Sequence, residues 1–472
     1  MSRTSKILTA AVLAIALGVL AVPVGMNLAP VFGPAPATAT LPELPAAQQL
    51  PTALSTVSGI NPLSSNAPVP DGRVLSKALD ATLMDADGGN YTALVQDAAT
   101  GQILYSRNAS AGRLPASNLK LLTAAAALKT LGAQTRLSTK VLAGAGTGSI
   151  VLRAGGDVLL GEGQSEVEAT VGHAGVATLA ARTAAALEST GAGGPVRITV
   201  DDTLFTGPAL NPAWLQGDVV AGEIAPVFPM ALYGARLTPD ASVGARPQDS
   251  AMSVAAAFAA ALKAAGVDVD PDIQRGKADD GARTLAEVSS ATVGEQIEYM
   301  LRDSDNYVAE TLGRLSAVAL KRVGSSAGAS EAVKETVAAL GVKTDSMVLA
   351  DCSGLAADDR VSAEQLTQTV KIMLADTTGD LRQGLLGLPI AGLSGTLGQR
   401  YLDPGTVAGA GLVRAKTGTL NAVISLSGYV VDTDGRLLVF SFIGNDLNAG
   451  SAAAKPVIDA AATILAGCGC GG

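Results

Sequence analysis

Ser117 and Lys120 stand three residues apart in Pro115-Ala116-Ser117-Asn118-Leu119-Lys120, a pairing that can do nucleophilic chemistry. A serine hydroxyl is a weak nucleophile and needs a fixed base within hydrogen-bond reach. Residues i and i+3 share one face of a helix, so a helical stretch would bring the lysine amine beside the hydroxyl. The run from Leu121 to Leu131 is apolar, alanine-rich and free of proline, and Gly132 closes it. That pattern predicts a helix with Ser117 at its N-terminal end. Backbone N–H groups at a helix start are free to stabilise negative charge near the serine.

Two further clusters complete a plausible catalytic set. Ser304-Asp305-Asn306 lies between two segments of helical periodicity, and Lys416-Thr417-Gly418-Thr419 precedes a strand-like run. Lys120 must be neutral to act as a base, and burial beside a second cation, Lys416, would depress its pKa. Ser304 can relay a proton to a leaving amine. The Asn306 amide can hold the lysine and also meet a substrate peptide group. Lys416, Thr417 and Thr419 offer cationic and hydroxyl donors suited to a terminal carboxylate. Gly418, lacking a Cβ, would let a substrate strand come close. The backbone N–H groups of Ser117 and Thr419 would form an oxyanion hole. Ser-x-x-Lys and Lys-Thr-Gly each occur once in the chain.

Composition narrows the alternatives. The chain has 472 residues, enough for two or three domains, and 48% of them are hydrophobic. Its net charge of −9, with no basic run, argues against nucleic acid as a partner. His173 is the only histidine, in Val171-Gly172-His173-Ala174-Gly175, and reads as a structural or exposed residue. A Ser-His-Asp hydrolase or a usual zinc site would have to be built around that one residue, so no metal and no cofactor is expected. Cys352, Cys468 and Cys470 make an odd count. A bridge from the tail to Cys352 and three incidental thiols are both open readings.

The elements that must position the clusters follow in order. Residues 1–26 are basic and then apolar, a signal peptide or membrane anchor, which would place the rest outside the cytoplasm. Residues 27–72 are rich in Pro, Ala, Ser and Thr and read as an extended linker. Tyr91–Gln96 and Gln102–Ser106 form a predicted hairpin around Asp97-Ala98-Ala99-Thr100-Gly101. Between 139 and 283 short β-like runs, Gly-rich loops and two helical pieces suggest an inserted domain. Trp214 reads as a core anchor there. Thr292-Val293-Gly294-Glu295 is a capping box opening a helix through Leu301, and a second helix runs from about Tyr307 to Leu320. Val423–Val431 and Leu437–Ile443 are strands, and Ala453–Leu465 is a closing helix.

In order, Ser117-x-x-Lys120, Ser304-Asp305-Asn306 and Lys416-Thr417-Gly418 are the known signature of penicillin-binding proteins and serine β-lactamases. Pro115–Lys120, Leu393-Ser-Gly-Thr-Leu397 and Val413–Leu420 further resemble the D-alanyl-D-alanine carboxypeptidase/endopeptidase family, the low-molecular-mass class C penicillin-binding proteins. Asp351-Cys352-Ser353-Gly354-Leu355 resembles that family's Asp-Gly-Ser-Gly-Leu segment, with cysteine in place of the first glycine. The resemblance implies an α+β fold: an antiparallel sheet flanked by helices, a helical lobe, and a large insertion. The expected catalytic body is then 73–138 with 284–472, and the insertion is 139–283. The resemblance also implies action on peptidoglycan stem peptides, acylation by β-lactams, and membrane contact only through the N-terminal segment. A serine β-lactamase and a non-catalytic envelope scaffold are the competing readings. No Glu-x-x-x-Asn segment of the kind that positions a deacylating water was found, and the three motifs are complete.

Overall fold

The computed structural model describes residues 63, 66–84, 89–188, 194–239, 241 and 244–469. The expected signal or anchor segment and most of the linker lie outside them. Among the described residues no helix is long and apolar enough to cross a membrane.

The first helix, α1 (Gly72–Met84), buries Leu75, Leu79 and Leu83, one stripe at i, i+4 and i+8. The hairpin β1 (Asn90–Asp97) and β2 (Ile103–Arg107) follows. Asp97 shapes its turn, accepting the N–H groups of Ala99 (2.8 Å) and Thr100 (2.9 Å). A short 3₁₀ turn, Ala116–Leu119, runs into α2 (Lys120–Leu131), whose first nine residues are all buried. An alanine-rich helix that is apolar on every side belongs at the centre of a core. Gly132, at φ +85°, ends it.

Residues 136–292 build a sheet of their own. Strands β3 (Arg136–Ala143) and β4 (Ser149–Arg153) come first, then helix α3 (Val176–Glu188) and strand β5 (Arg197–Asp201). The short helix α4 (Gln216–Ala221), helix α5 (Ser250–Ala264), and strands β6 (Gln274–Arg275) and β7 (Thr284–Thr292) complete the set. The order is β6-β5-β4-β3-β7, parallel on the β5 side and antiparallel around β3. Ile150, Leu152, Ile198 and Val200 pack with Leu179 and Phe258 into a separate apolar core. Residues 204–235 are shared: Met230 joins this core, whereas Phe205, Trp214, Val219 and Ile224 pack into the core around α2.

The chain returns through α6 (Val293–Asp303), started by the Thr292/Glu295 capping box, and α7 (Asn306–Ala319). It continues through α8 (Ser326–Ala339), α9 (Ala363–Ala375) and the single turn α10 (Gln383–Leu386). Strands β8 (Arg414–Leu420), β9 (Val423–Val431) and β10 (Leu437–Asn445) and helix α11 (Gly450–Ala466) close the fold. They complete an antiparallel sheet, β2-β1-β10-β9-β8, whose first and last strands in sequence meet at Asn90↔Asn445. Its residues alternate between two cores. Leu94, Val439 and Ile443 face α2 and the helical lobe, whereas Ala93, Val95, Phe440 and Phe442 face α1 and α11. This α+β arrangement leaves β8 at the sheet edge, facing the helical lobe.

Cys352 is a buried free thiol and Cys468 is disulfide-bonded elsewhere, so the tail is not tied to Cys352. Cys352 is buried in the core around α2 and Cys468 in the core between the first sheet, α1 and α11, which keeps the two apart. His173 lies in the second sheet's surroundings, its Nε2 within 2.7 Å of Arg136 Nη1, and has no part in the site below.

Candidate active site

The 3₁₀ turn and α2 bring Ser117 and Lys120 together as their spacing requires: Lys120 Nζ lies 2.8 Å from Ser117 Oγ. The turn is held tightly. Ala116 has φ +46°, a left-handed conformation uncommon for a residue with a Cβ. Ser425 Oγ donates to Pro115 O at 2.7 Å, and the buried Asn118 amide sits 3.2 Å from Ser427 Oγ. From below, Gly354 (φ +81°) comes so close that a Cβ would stand 1.9 Å from Ala116 O. Any other residue at 354 would push the serine turn outward.

Lys120 is fully buried. Its amine donates to Asn306 Oδ1 (2.6 Å) and to Ser353 O (2.8 Å), as well as meeting Ser117. The two carbonyl oxygens can only accept, so they take up the two N–H bonds of a neutral amine. The lone pair then faces the one partner able to donate, the Ser117 hydroxyl. Burial pulls the Lys120 pKa down to about 8, against the opposing fields of Asp351, Asp305 and Glu223.

Ser304 and Asn306 sit at the junction of α6 and α7. Ser304 ends α6 in the left-handed region, φ +60°, which turns the chain sharply and lifts its hydroxyl toward the cleft. Asp305 caps α7 through Val308 N–H and is bridged by Arg236 at 3.2 Å. Asn306 spends one amide N–H on Glu223 O at 3.0 Å. The segment that follows α4 thus holds the turn from the other side.

Lys416 is also fully buried, and its amine donates to Ser304 Oγ (2.9 Å) and Thr417 O (2.8 Å). Burial, and then the Lys120 charge, hold its pKa well below the usual lysine range. Thr417 Oγ1 meets Thr396 Oγ1 at 2.7 Å, and Thr419 is exposed to the cleft. Gly418 is a glycine for a different reason from the one expected. A Cβ there would lie 2.2 Å from Ser425 Oγ and 2.9 Å from Pro115 O, on the side of β8 facing the serine turn. The missing side chain lets β8 pack against the Ser117 turn, and its Cβ position points at that turn and not into the cleft.

The Asp351 turn supports all of this. Its buried carboxylate accepts N–H groups from Ser353 (3.0 Å), Gly354 (2.7 Å), Leu355 (3.0 Å) and Ala356 (2.8 Å). Trp214 Nε1 donates to the same group at 3.0 Å, so the predicted core anchor ties the inserted segment to the site. Cys352 replaces glycine without strain because its φ is not positive. The room for its side chain comes from Gly313 of α7, where a Cβ would stand 2.4 Å from Cys352 Sγ.

A cleft of about 680 Å³ is lined by Ser117, Ser304, Asn306, Thr417 and Thr419. The inserted segment adds Leu215, Asp218, Glu223, Arg236 and Arg246, and Thr396 and Arg400 close another edge. Sequence reasoning missed Ser353 and Glu223, whose contributions are backbone carbonyls that carry no side-chain signal. Thr396 could have been found, since it lies in the Leu393–Leu397 segment.

The sequence matches the D-Ala-D-Ala carboxypeptidase 3 (S13) family over residues 75–242 and 230–467. It is 38% identical to carboxypeptidase DacB of Mycolicibacterium smegmatis over 417 residues, 88% of each chain. It is 37% identical to carboxypeptidase Rv3627c of Mycobacterium tuberculosis over 419 residues, again 88% of each. In fold it is similar to penicillin binding protein 4 (dacB) of Haemophilus influenzae, with a TM-score of 0.68 and 20% identity, covering 82% of this chain and 98% of the other.

Proposed function

The chain belongs to the D-Ala-D-Ala carboxypeptidase 3 (S13) family, and from that premise we propose that it removes the terminal D-alanine of peptidoglycan stem peptides through an acyl-enzyme on Ser117. The observation that carries this reading is the Lys120 amine, buried and directed at Ser117 Oγ by two carbonyl acceptors.

Lys120 takes the Ser117 proton as Oγ attacks the carbonyl of the penultimate D-alanine. The negative oxygen that forms is met by the backbone N–H groups of Ser117 and Thr419. Ser304, in contact with Lys416, passes a proton to the departing amine, and the C–N bond breaks to release D-alanine. Water then attacks the Ser117 ester, and the proton bookkeeping reverses. Lys416, Thr417 and Thr419 hold the substrate's terminal carboxylate; Gly418 serves by letting β8 lie against the serine turn. A β-lactam enters the same path, but its leaving group stays tethered. A cross-linked stem peptide also presents a D-alanyl amide, so endopeptidase action uses the same groups.

We assign 73–138 and 284–472 as the catalytic body and 139–283 as an accessory insertion whose 204–246 stretch forms a cleft wall. The substrate places the enzyme outside the cytoplasm, in the cell envelope. Residues 1–26 would deliver or anchor it, and 27–72 would space it from the membrane. The test is digestion of purified muropeptides with mass analysis of the products. Release of D-alanine from pentapeptides by the wild type and not by Ser117→Ala supports the reading; release by both overturns it.

A further inference from the structure

Glu310 lies one helical turn after Asn306 on α7, so the two side chains share the face that meets Lys120. Asn306 touches the lysine directly. Glu310 is fully buried, and its Oε1 accepts the Cys352 N–H at 2.9 Å. The carbonyl of the same residue accepts Thr123 Oγ1 from α2 at 2.7 Å. Cys352 is thereby pinned at both its backbone groups, one by each helix flanking the site. The next carbonyl along the chain is Ser353 O, an acceptor of the Lys120 amine.

Resting on the reading of Lys120 as the base for Ser117, we infer that Glu310 is a positioning residue, which holds the Cys352 backbone so that Ser353 O keeps the Lys120 lone pair aimed at Ser117. An acceptor that drifts by even a fraction of an ångström frees an N–H of the amine to rotate, and the lone pair then leaves the hydroxyl. Glu310 does this as an un-ionised acid. Among the described residues its Oε2 meets no hydrogen-bond partner, and a buried anion with a bare oxygen would be costly. Burial, and then the neighbouring Asp351, push its carboxyl up to about 8. The titratable groups facing it are Asp351 and Cys352 in the turn, Lys120 on α2, and Arg314 one turn along α7. A neutral Glu310 gives shape to the base's surroundings without adding a full negative charge that would favour the lysine ammonium.

The test compares Glu310→Gln and Glu310→Ala in the full chain, following acylation by a fluorescent penicillin across pH, D-alanine release, and melting temperature. The glutamine keeps an acceptor oxygen and no charge. We expect its acylation rate within about twofold of wild type and its pH midpoint unmoved within about half a unit. Glu310→Ala is expected to slow acylation about tenfold or more, in kcat rather than KM. A folded Glu310→Ala protein acylating at the wild-type rate overturns the inference. So does a glutamine variant as slow as the alanine one, or with a midpoint displaced by a full unit. If Glu310→Ala does not fold, Thr123→Val frees the other backbone group of Cys352. Slow acylation at unchanged KM then supports the inference, and a wild-type rate overturns it. Lys120→Ala separates this from the underlying reading: full acylation there would refute the lysine base whatever Glu310 does.

Discussion

The two lysines of the cleft are alike in burial and unlike in company. Lys120 sits on a helix with the carboxyl groups of Asp351, Asp305 and Glu223 in its field, and its pKa stops at about 8. Lys416 sits on an edge strand where, among the described residues, Asp303 favours its charge and Lys120 and Arg400 oppose it. Contact then decides which is the base: Lys120 touches Ser117 Oγ, and Lys416 touches Ser304 Oγ. The comparison teaches that burial alone does not assign a role. A buried lysine with several acids in its field is a poised base, and one with few is held toward its neutral form until a counter-charge arrives. The substrate's carboxylate would supply that charge to Lys416.

The largest expected effects break the Lys120 end. Ser117→Ala should abolish covalent labelling by penicillin, read by intact-mass spectrometry and peptide mapping. Lys120→Ala should slow acylation by about 10³-fold or more, since a nucleophile and its base act as a unit. Labelling of the Ser117→Ala protein would refute the nucleophile assignment.

The Lys416 end should fail more gently and more selectively. A hydrogen bond to a charged group is worth about 1.5–3 kcal/mol, or about 10- to 100-fold in rate. Lys416→Ala should cost that much on a free-acid peptide and little on the same peptide with an amidated C-terminus. Equal losses on both substrates would show that Lys416 does not read the carboxylate.

The titration of Lys120 sharpens the contrast. Only its neutral form accepts the Ser117 proton, so acylation should rise with pH and level off above about 8. Stability carries the same sign. The folded pKa, about 8, lies below the ordinary 10.5, so the unfolded chain binds more protons between those values. Lys120's own destabilising contribution is therefore full below about 8 and fades as the pH climbs toward 10.5. A pH–rate profile of penicillin acylation that is flat from 6 to 9 would contradict this.

Two smaller expectations concern what the site lacks. With Lys120 and Ser304 committed, and no Glu-x-x-x-Asn segment in the sequence to position a deacylating water, the penicilloyl-enzyme should persist for about minutes or more, each 1.36 kcal/mol of barrier being tenfold in lifetime. An adduct that vanishes within seconds, with turnover of the drug, would make the protein a β-lactamase. Prolonged chelation should leave D-alanine release unchanged, because one histidine and three cysteines make no usual zinc site. Loss restored by added zinc would overturn the mechanism.

What the sequence by itself determined was local. An alanine-rich run closed by glycine could only be a buried helix, and it fixed the three-residue spacing of Ser117 and Lys120 on one face. The capping box at Thr292, the Asp97 turn and the strand carrying Lys416 were legible because caps, turns and alternation act within a few residues. The tertiary structure alone decided which oxygens reach Lys120, since Ser353 O and Glu223 O are backbone atoms shared by every residue type. It decided that Gly418 faces the serine turn and that Cys352 fits a glycine's place against Gly313. It divided the insertion between its own core and the catalytic one. The lowered pKa of both lysines is likewise a sum over groups hundreds of residues apart in sequence, and only the folded chain performs that sum.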